Sequence, residues 1–245
     1  MDEEPVVGVV GEAPDLRDAL EAVDAAVVAG DAETVLAADP SIVVAVGEQS
    51  TLDVAHRAPT APILPADAGR GLRSVAAADL PGVADALAAG EWDVERHPLL
   101  SVELDGERVA RALSDVTLVS AEVARISEFS VVAGDVDVAQ VRADGVVVAT
   151  PAGSTEYARR IDAPVLAPDT GVAAVAPIAP FATDPDQWVL PLASLRLRVE
   201  RDEAPVTLVA DGEEVSPVGV DEPVALRPTG RVEIAVTGAS APRFP

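Results

Sequence analysis

The chain contains no cysteine, no lysine and no asparagine, and only 2% of its 245 residues are aromatic. Each absence removes a class of protein. Without cysteine there are no disulfides, no thiolate zinc sites and no thiol catalysis. Arginine supplies all 17 basic residues, against 42 acidic ones, for a net charge of −25. No basic stripe is available to release counterions from a phosphate backbone, which argues against nucleic acid as a partner. Trp92, Trp188 and Phe181 are too scattered to form a base-stacking platform. His56 and His97 have no cysteine or second histidine at ligand spacing, so no metal site is expected. No apolar run approaches the length of a spanning helix, and residues 1–4, Met-Asp-Glu-Glu, lack the positive start of a signal peptide. The expectation is a cytoplasmic protein without membrane contact. The carboxylates are spread along the whole chain rather than gathered in one tail. That distribution reads as the hydrated acidic surface of a halophile's protein.

The residues present are mostly small and apolar, in two rhythms. Over the first ninety residues, short apolar runs at 6–10, 25–29 and 41–46 alternate with helical spacing at 15–23 and 32–38. This βαβαβ order reads as an α/β layer whose sheet is covered on both faces. A further helix is expected over 82–89. From about Leu99 onward, strand-like runs at 99–104, 112–119, 129–132, 138–141 and 146–149 follow one another with little helix. Asp105-Gly106, Gly134-Asp135 and Asp144-Gly145 act as turn signals between several of them. More strands are expected at 172–176, 194–200, 206–209 and 232–236. The domain boundary is placed near residues 91–98.

Residues 142–157 read Arg-Ala-Asp-Gly-Val-Val-Val-Ala-Thr-Pro-Ala-Gly-Ser-Thr-Glu-Tyr. A buried strand runs straight into a turn crowded with hydroxyls, a proline and a glycine. A structural core needs no such gathering of Thr150, Ser154, Thr155 and Tyr157. The bland alternative is a hairpin turn plus a helix capped by Ser154 or Thr155. Upstream, the run 41–46 ends in Gly47-Glu48-Gln49-Ser50-Thr51, at the carboxyl end of a strand, where open α/β sheets bind ligands. One glycine allows a phosphate near the backbone, but Glu48 adds negative charge there. Taken alone, the loop is a polar turn with Ser50 or Thr51 capping the next helix. Asp115, behind Ser114, opens another strand.

The 142–157 run resembles the RxDG…TPTGSTAY segment of the NAD kinase family. Arg142, Asp144, Gly145, Thr150, Pro151, Gly153, Ser154, Thr155 and Tyr157 match, while Ala152 and Glu156 depart. Gly47–Thr51 stands where the family has Gly-Gly-Asp-Gly-Thr, Gly69-Arg70 matches part of an NxGRLGFL-like stretch, and Ser114-Asp115 stands at the family's Asn-Glu or Asn-Asp pair. Residues 176–180 match a TPICPH-like strand end, and Asp211-Gly212 a late Asp-Gly turn.

The resemblance implies a two-domain fold, an α/β N-terminal domain plus a β-rich C-terminal domain. The first covers residues 1–95, carrying the degraded loop at 47–51, with the tail 228–245 as a candidate to complete it; the second, 96–227, binds dinucleotide. It further implies NAD or NADP in an interdomain cleft, held by Gly47, Ser114, Asp115, Arg142, Asp144, Thr150, Gly153, Ser154, Thr155 and Tyr157. The family transfers a phosphoryl group from ATP, with Mg²⁺, to the 2′-hydroxyl of NAD, and its loop aspartate accepts the hydroxyl proton. Gln49 occupies that position here, and a neutral amide does not accept a proton near pH 7. Weak or lost kinase activity is therefore expected, with ATP and Mg²⁺ needed only if activity survives. Two alternatives stay open: an active kinase using Glu48 as base, and a structural or partner-binding remnant that takes no nucleotide. Family members are homo-oligomers, which implies a homodimer or homotetramer.

Overall fold

The computed structural model describes residues 5–122, 125–183 and 185–244. The acidic start at residues 1–4 lies outside them. Contacts divide the chain into two compact units, Met1–His97 with Arg231–Pro245, and Pro98–Gly230.

In the first unit, β1 (Val6–Val10), α1 (Pro14–Ala22), β2 (Ala26–Gly30), α2 (Ala32–Ala37), β3 (Ile42–Val46), α3 (Glu48–Ala55) and β4 (Ile63–Ala66) follow one another. The strands pair in the order β2-β1-β3-β4, parallel throughout, with Val7 between Val27 and Ile42. Near the chain's end, Ile234 extends this parallel sheet beside Ile63 of β4. The sheet is covered on both faces, so its strands carry near-continuous apolar runs. Val7, Val9, Ile42, Val44 and Leu64 pack with Leu16 and Leu20 of α1 and with Leu87 of α4 (Ala84–Ala89). On the opposite face Gly8 lets α2 come close, since a Cβ there would lie 2.4 Å from Val35 Cγ1.

The helix expected over 82–89 begins as a 3-10 turn, Ala77–Val83, and becomes α-helical only at Ala84. Pro81 inside that turn has no N–H to contribute to an α-helical ladder.

Residues 237–243 fold back over the loop that follows β4. Arg73 Nε donates to Ala241 O (3.2 Å), and Ala241 N donates to Ser74 O (3.2 Å). Glu95 then joins the two segments, with Arg73 Nη1 at 2.9 Å on one oxygen and Arg243 Nη2 at 3.0 Å on the other. The buried His97 ring lies 3.8 Å from Glu95. The His97 ring first, then the Arg73 and Arg243 guanidiniums, hold the Glu95 carboxyl well below the usual carboxylate range against the opposing effect of burial. A depressed folded-state pKa stabilises the fold above the ordinary carboxylate value, and that contribution is lost as pH falls below it. Glu95→Gln is therefore expected to lower the melting temperature at pH 7, with the gap from wild type narrowing by pH 3. Thermal melts at the two pH values check this; a gap of constant size would discard the ionic account.

The second unit is a sandwich of strands. It contains β5 (Asp93–Leu104), whose part from Pro98 onward belongs here, β6 (Glu107–Ala112), β7 (Asp115–Ser120), β8 (Ser127–Ala133), β9 (Val136–Ala143) and β10 (Gly145–Ala149). After a one-turn helix, α5 (Tyr157–Arg160), come β11 (Val172–Ile178), β12 (Trp188–Pro191), β13 (Leu195–Arg201), β14 (Val206–Ala210), β15 (Glu213–Val218) and β16 (Val224–Val236), of which residues up to Gly230 belong to this unit. One antiparallel sheet runs β12-β11-β10-β7-β14-β15; in the other, β13 lies between β16 and β8, and β8 pairs with β9. Leu118, Val146, Val148 and Val175 of the first meet Phe129, Val131, Leu195 and Leu197 of the second. The alternate residues of β10, Val147 and Ala149, pack outward against Ala158, Ala163 and Leu166. β10 is thus buried on both faces, which explains its unbroken valines.

One expectation is corrected in this unit, and a strand is found where none was expected. The run 112–119 is not one strand, because the chain turns at Leu113 and Ser114 before β7. The segment 107–112 is a strand, although Glu107, Arg108 and Arg111 disguise it.

Candidate dinucleotide site

β10 delivers the chain into the 150–157 turn, and the hydroxyls there point in different directions. Thr150 is fully buried; its Oγ1 donates to Leu113 O (2.5 Å) and accepts from Ala152 N (3.1 Å). Thr150 N donates to Ser114 O (2.9 Å). Ser154 is also fully buried, donating to Pro151 O (3.0 Å) and accepting from Leu166 N (3.0 Å). These two side chains shape the turn from inside. Neither Ser154 nor Thr155 caps a helix, contrary to the bland expectation, since α5 has no side-chain cap.

Gly153 lies against the backbone of Ser114. A Cβ at that position would stand 2.3 Å from Ser114 O and 2.6 Å from its carbonyl carbon. The glycine is required for this close approach rather than for an unusual dihedral angle.

The accessible groups are Ser114, Asp115, Asp144, Thr155, Glu156 and Tyr157. Tyr157 is 40% exposed. Its phenol is pushed up from its ordinary value by burial first, then by the charges of Asp115 and Asp144. Those two carboxylates and the phenol therefore share one neighbourhood, and Tyr157 stays protonated as a donor at neutral pH. Thr155 Oγ1 lies 3.4 Å from Glu156 Oε1. Arg142 points elsewhere, its guanidinium 5.7 Å above the ring of Phe181.

The loop after β3 belongs to the first unit. Gly47 is the N-cap of α3 at φ 89° and ψ 159°, a region open essentially to glycine alone. Its N–H donates to Ala66 O (2.8 Å). Glu48 and Gln49 lie in the first turn of α3, Gln49 exposed, and Gln49 Nε2 donates to Asp53 Oδ1 (3.1 Å). Ser50 and Thr51 lie inside this helix and do not cap it. Thr51 is buried and donates to Gly47 O (2.9 Å). The helix starts earlier than expected because Gly47 alone supplies the required turn.

One further residue shows in the sequence only as a turn signal. Asp211 accepts three backbone N–H groups, from Leu113 (2.7 Å), Ser114 (2.7 Å) and Asp115 (3.0 Å). The Asp-Gly dipeptide at 211–212 is its only trace in the string of residues.

The ATP-NAD kinase C-terminal domain family matches residues 113–233. An NAD kinase of Acidobacterium capsulatum is 32% identical over 199 residues, covering 77% of this chain and 70% of the relative. An NAD kinase of Methanosarcina barkeri is 36% identical over 131 residues, 52% of this chain. The match spans about half of that relative's length, 47%. Among solved structures, an Archaeoglobus fulgidus NAD kinase in complex with ATP superposes with a TM-score of 0.74 at 22% identity, covering 94% of this chain and 92% of that one. Yeast NADH kinase complexed with NADH gives 0.78 at 14% identity, over 97% and 85%. At these identities the two structures establish the shared two-domain fold.

Proposed function

The chain belongs to the NAD kinase family, and from that premise we propose that residues 113–157 bind NAD or NADP while ATP-dependent phosphorylation of the NAD 2′-hydroxyl is weak or lost. One contrast carries the reading. The 150–157 turn keeps the family's residues at all positions but Ala152 and Glu156, and is braced from inside by Thr150, Ser154 and Gly153. The position of the family's catalytic aspartate holds Gln49, a neutral side chain on an exposed helical turn.

In this reading Asp115 and the neutral phenol of Tyr157 offer an acceptor and a donor to ribose or base. The buried hydroxyls contribute by fixing the backbone rather than by touching ligand. Arg142, engaged with Phe181, stands apart. Mg²⁺ in phosphoryl transfer is bound largely through the nucleotide phosphates, with one or two carboxylates from the protein. Among the described residues no three metal-ligating side chains gather at one point. The residues present therefore fit an ion that arrives with ATP rather than one caged by the protein.

Glu48 as a substitute base is the weaker reading. It lies one residue before the family's aspartate position, and one residue along a helix turns a side chain by about 100°, so its carboxylate is aimed differently from a side chain at 49. The scattered acidity belongs to a high-salt setting in the same proposal, and the assembly to a homodimer or homotetramer.

Calorimetric titration of NAD and NADP in multimolar KCl tests the reading. Saturable binding is expected, weakened about tenfold (~1.4 kcal/mol) by Tyr157→Ala. A folded protein that takes up neither dinucleotide sinks the proposal and leaves the partner-binding remnant.

A further inference from the structure

β14 and β15 are joined by a two-residue turn, Asp211-Gly212, both at positive φ (48° and 80°). Aspartate, asparagine and glycine all suit such a turn. The turn alone does not explain why both carboxylate oxygens of Asp211 are engaged by the amides of three successive residues. Oδ2 accepts from Leu113 N, and Oδ1 accepts from Ser114 N and Asp115 N; Asp211 N in turn donates to Asp115 O (3.0 Å). An ionised acceptor is suited to this convergence because every oxygen lone pair can accept and no donor opposes an amide hydrogen.

The bound turn also backs the 150–157 segment. Its carbonyls at Leu113 and Ser114 receive Thr150 Oγ1 and Thr150 N, and Gly153 lies against Ser114. We infer that Asp211 is a positioning residue for dinucleotide binding, acting through the Leu113–Asp115 backbone to set the Asp115 carboxylate and the 150–157 turn. The inference rests on the reading that this segment binds dinucleotide, and it assigns Asp211 no contact with ligand.

Asp211→Asn tests it, because asparagine keeps the turn but places an NH₂ group against an amide hydrogen. Two measurements are made on wild type, Asp211→Asn, Asp115→Asn and the double variant. The first is amide exchange at residues 113–115 without ligand, expected to be at least about tenfold faster in Asp211→Asn through local opening. The second is NAD titration. Asp211→Asn is expected to weaken binding about tenfold or more, and the double variant is expected to bind no more weakly than the worse single variant. A merely structural residue would weaken binding additively with Asp115→Asn. Additivity, or unchanged exchange at 113–115 beside normal binding, overturns the inference. If Asp211→Asn does not fold, Asp211→Glu carries the same comparison with its charge kept and its reach altered. If wild type binds neither NAD nor NADP, the site reading fails and the positioning role with it; the exchange data then show separately whether Asp211 still holds the turn.

Discussion

Gly153→Ala is expected to lower the stability of the protein by about 3 kcal/mol, the range of an overpacked core. For a chain of this size that is a fall of roughly 6–12 °C in melting temperature. The reason is the identity of the atoms in the way. The added methyl group would stand 2.3 Å from Ser114 O and 2.6 Å from its carbonyl carbon. Both are backbone atoms in a turn already bound by Asp211 and Thr150, so no flexible side chain can swing aside. The 150–153 loop must move instead, breaking the Thr150 bonds to Leu113 and Ser114. Dinucleotide binding is expected to fall with it. Gly230→Ala is the control: nothing lies within 4 Å of the added atom and the residue has no positive φ. It should be neutral or stabilising by about 0.4–1 kcal/mol through the unfolded chain. Thermal melts of the two variants decide the matter, and equal melting temperatures would show that the loop yields freely.

The same residues indicate how much a sequence can disclose. The unbroken valines of β10 are legible because burial on both faces leaves a continuous apolar run. The parallel α/β half is legible for the same reason. β6 is not: Glu107 and Arg111 fall on one face of the strand and Arg108 on the other, so its sequence shows no core face. The hydroxyl cluster is visible as residue types, but direction is invisible. Nothing in the string distinguishes buried Thr150 and Ser154 from partly exposed Thr155. Asp211 is legible only as a turn, because its amide partners lie 96 to 98 positions away. Gly47 resembles the remnant of a phosphate loop, and its dihedral angles give an independent reason for glycine there.

That last point bears on the expected result for the loop. Gln49→Asp, made together with Glu48→Gly so that only Ser50 still departs from the family's loop, is expected to raise NADP formation from NAD and ATP by about 10²–10⁴-fold, the usual contribution of a general base. Stability should not obscure this gain. An aspartate in the first turn of α3 is favoured by the helix dipole by about 0.3–1 kcal/mol. Facing Asp53 four residues on, in place of the present hydrogen bond from the Gln49 amide, costs about 0.2–0.5 kcal/mol. Glycine in the same turn costs at most about 1 kcal/mol. With the favourable Glu48 charge lost from the same turn, the net cost is about 0.2–1.5 kcal/mol, too small to unfold the protein. The Asp53 charge also disfavours ionisation of the introduced carboxyl group, which makes it a slightly stronger base. NAD affinity should stay close to the wild-type value, because residues 113–157 are untouched. Coupled-assay turnover and calorimetry on the same samples separate the outcomes. Increased turnover at unchanged affinity places the deficit at positions 48 and 49. A variant that binds NAD but forms no NADP would place the deficit elsewhere in the loop. Turnover by wild type that Glu48→Gln abolishes would instead make Glu48 the base and overturn the proposed loss of activity.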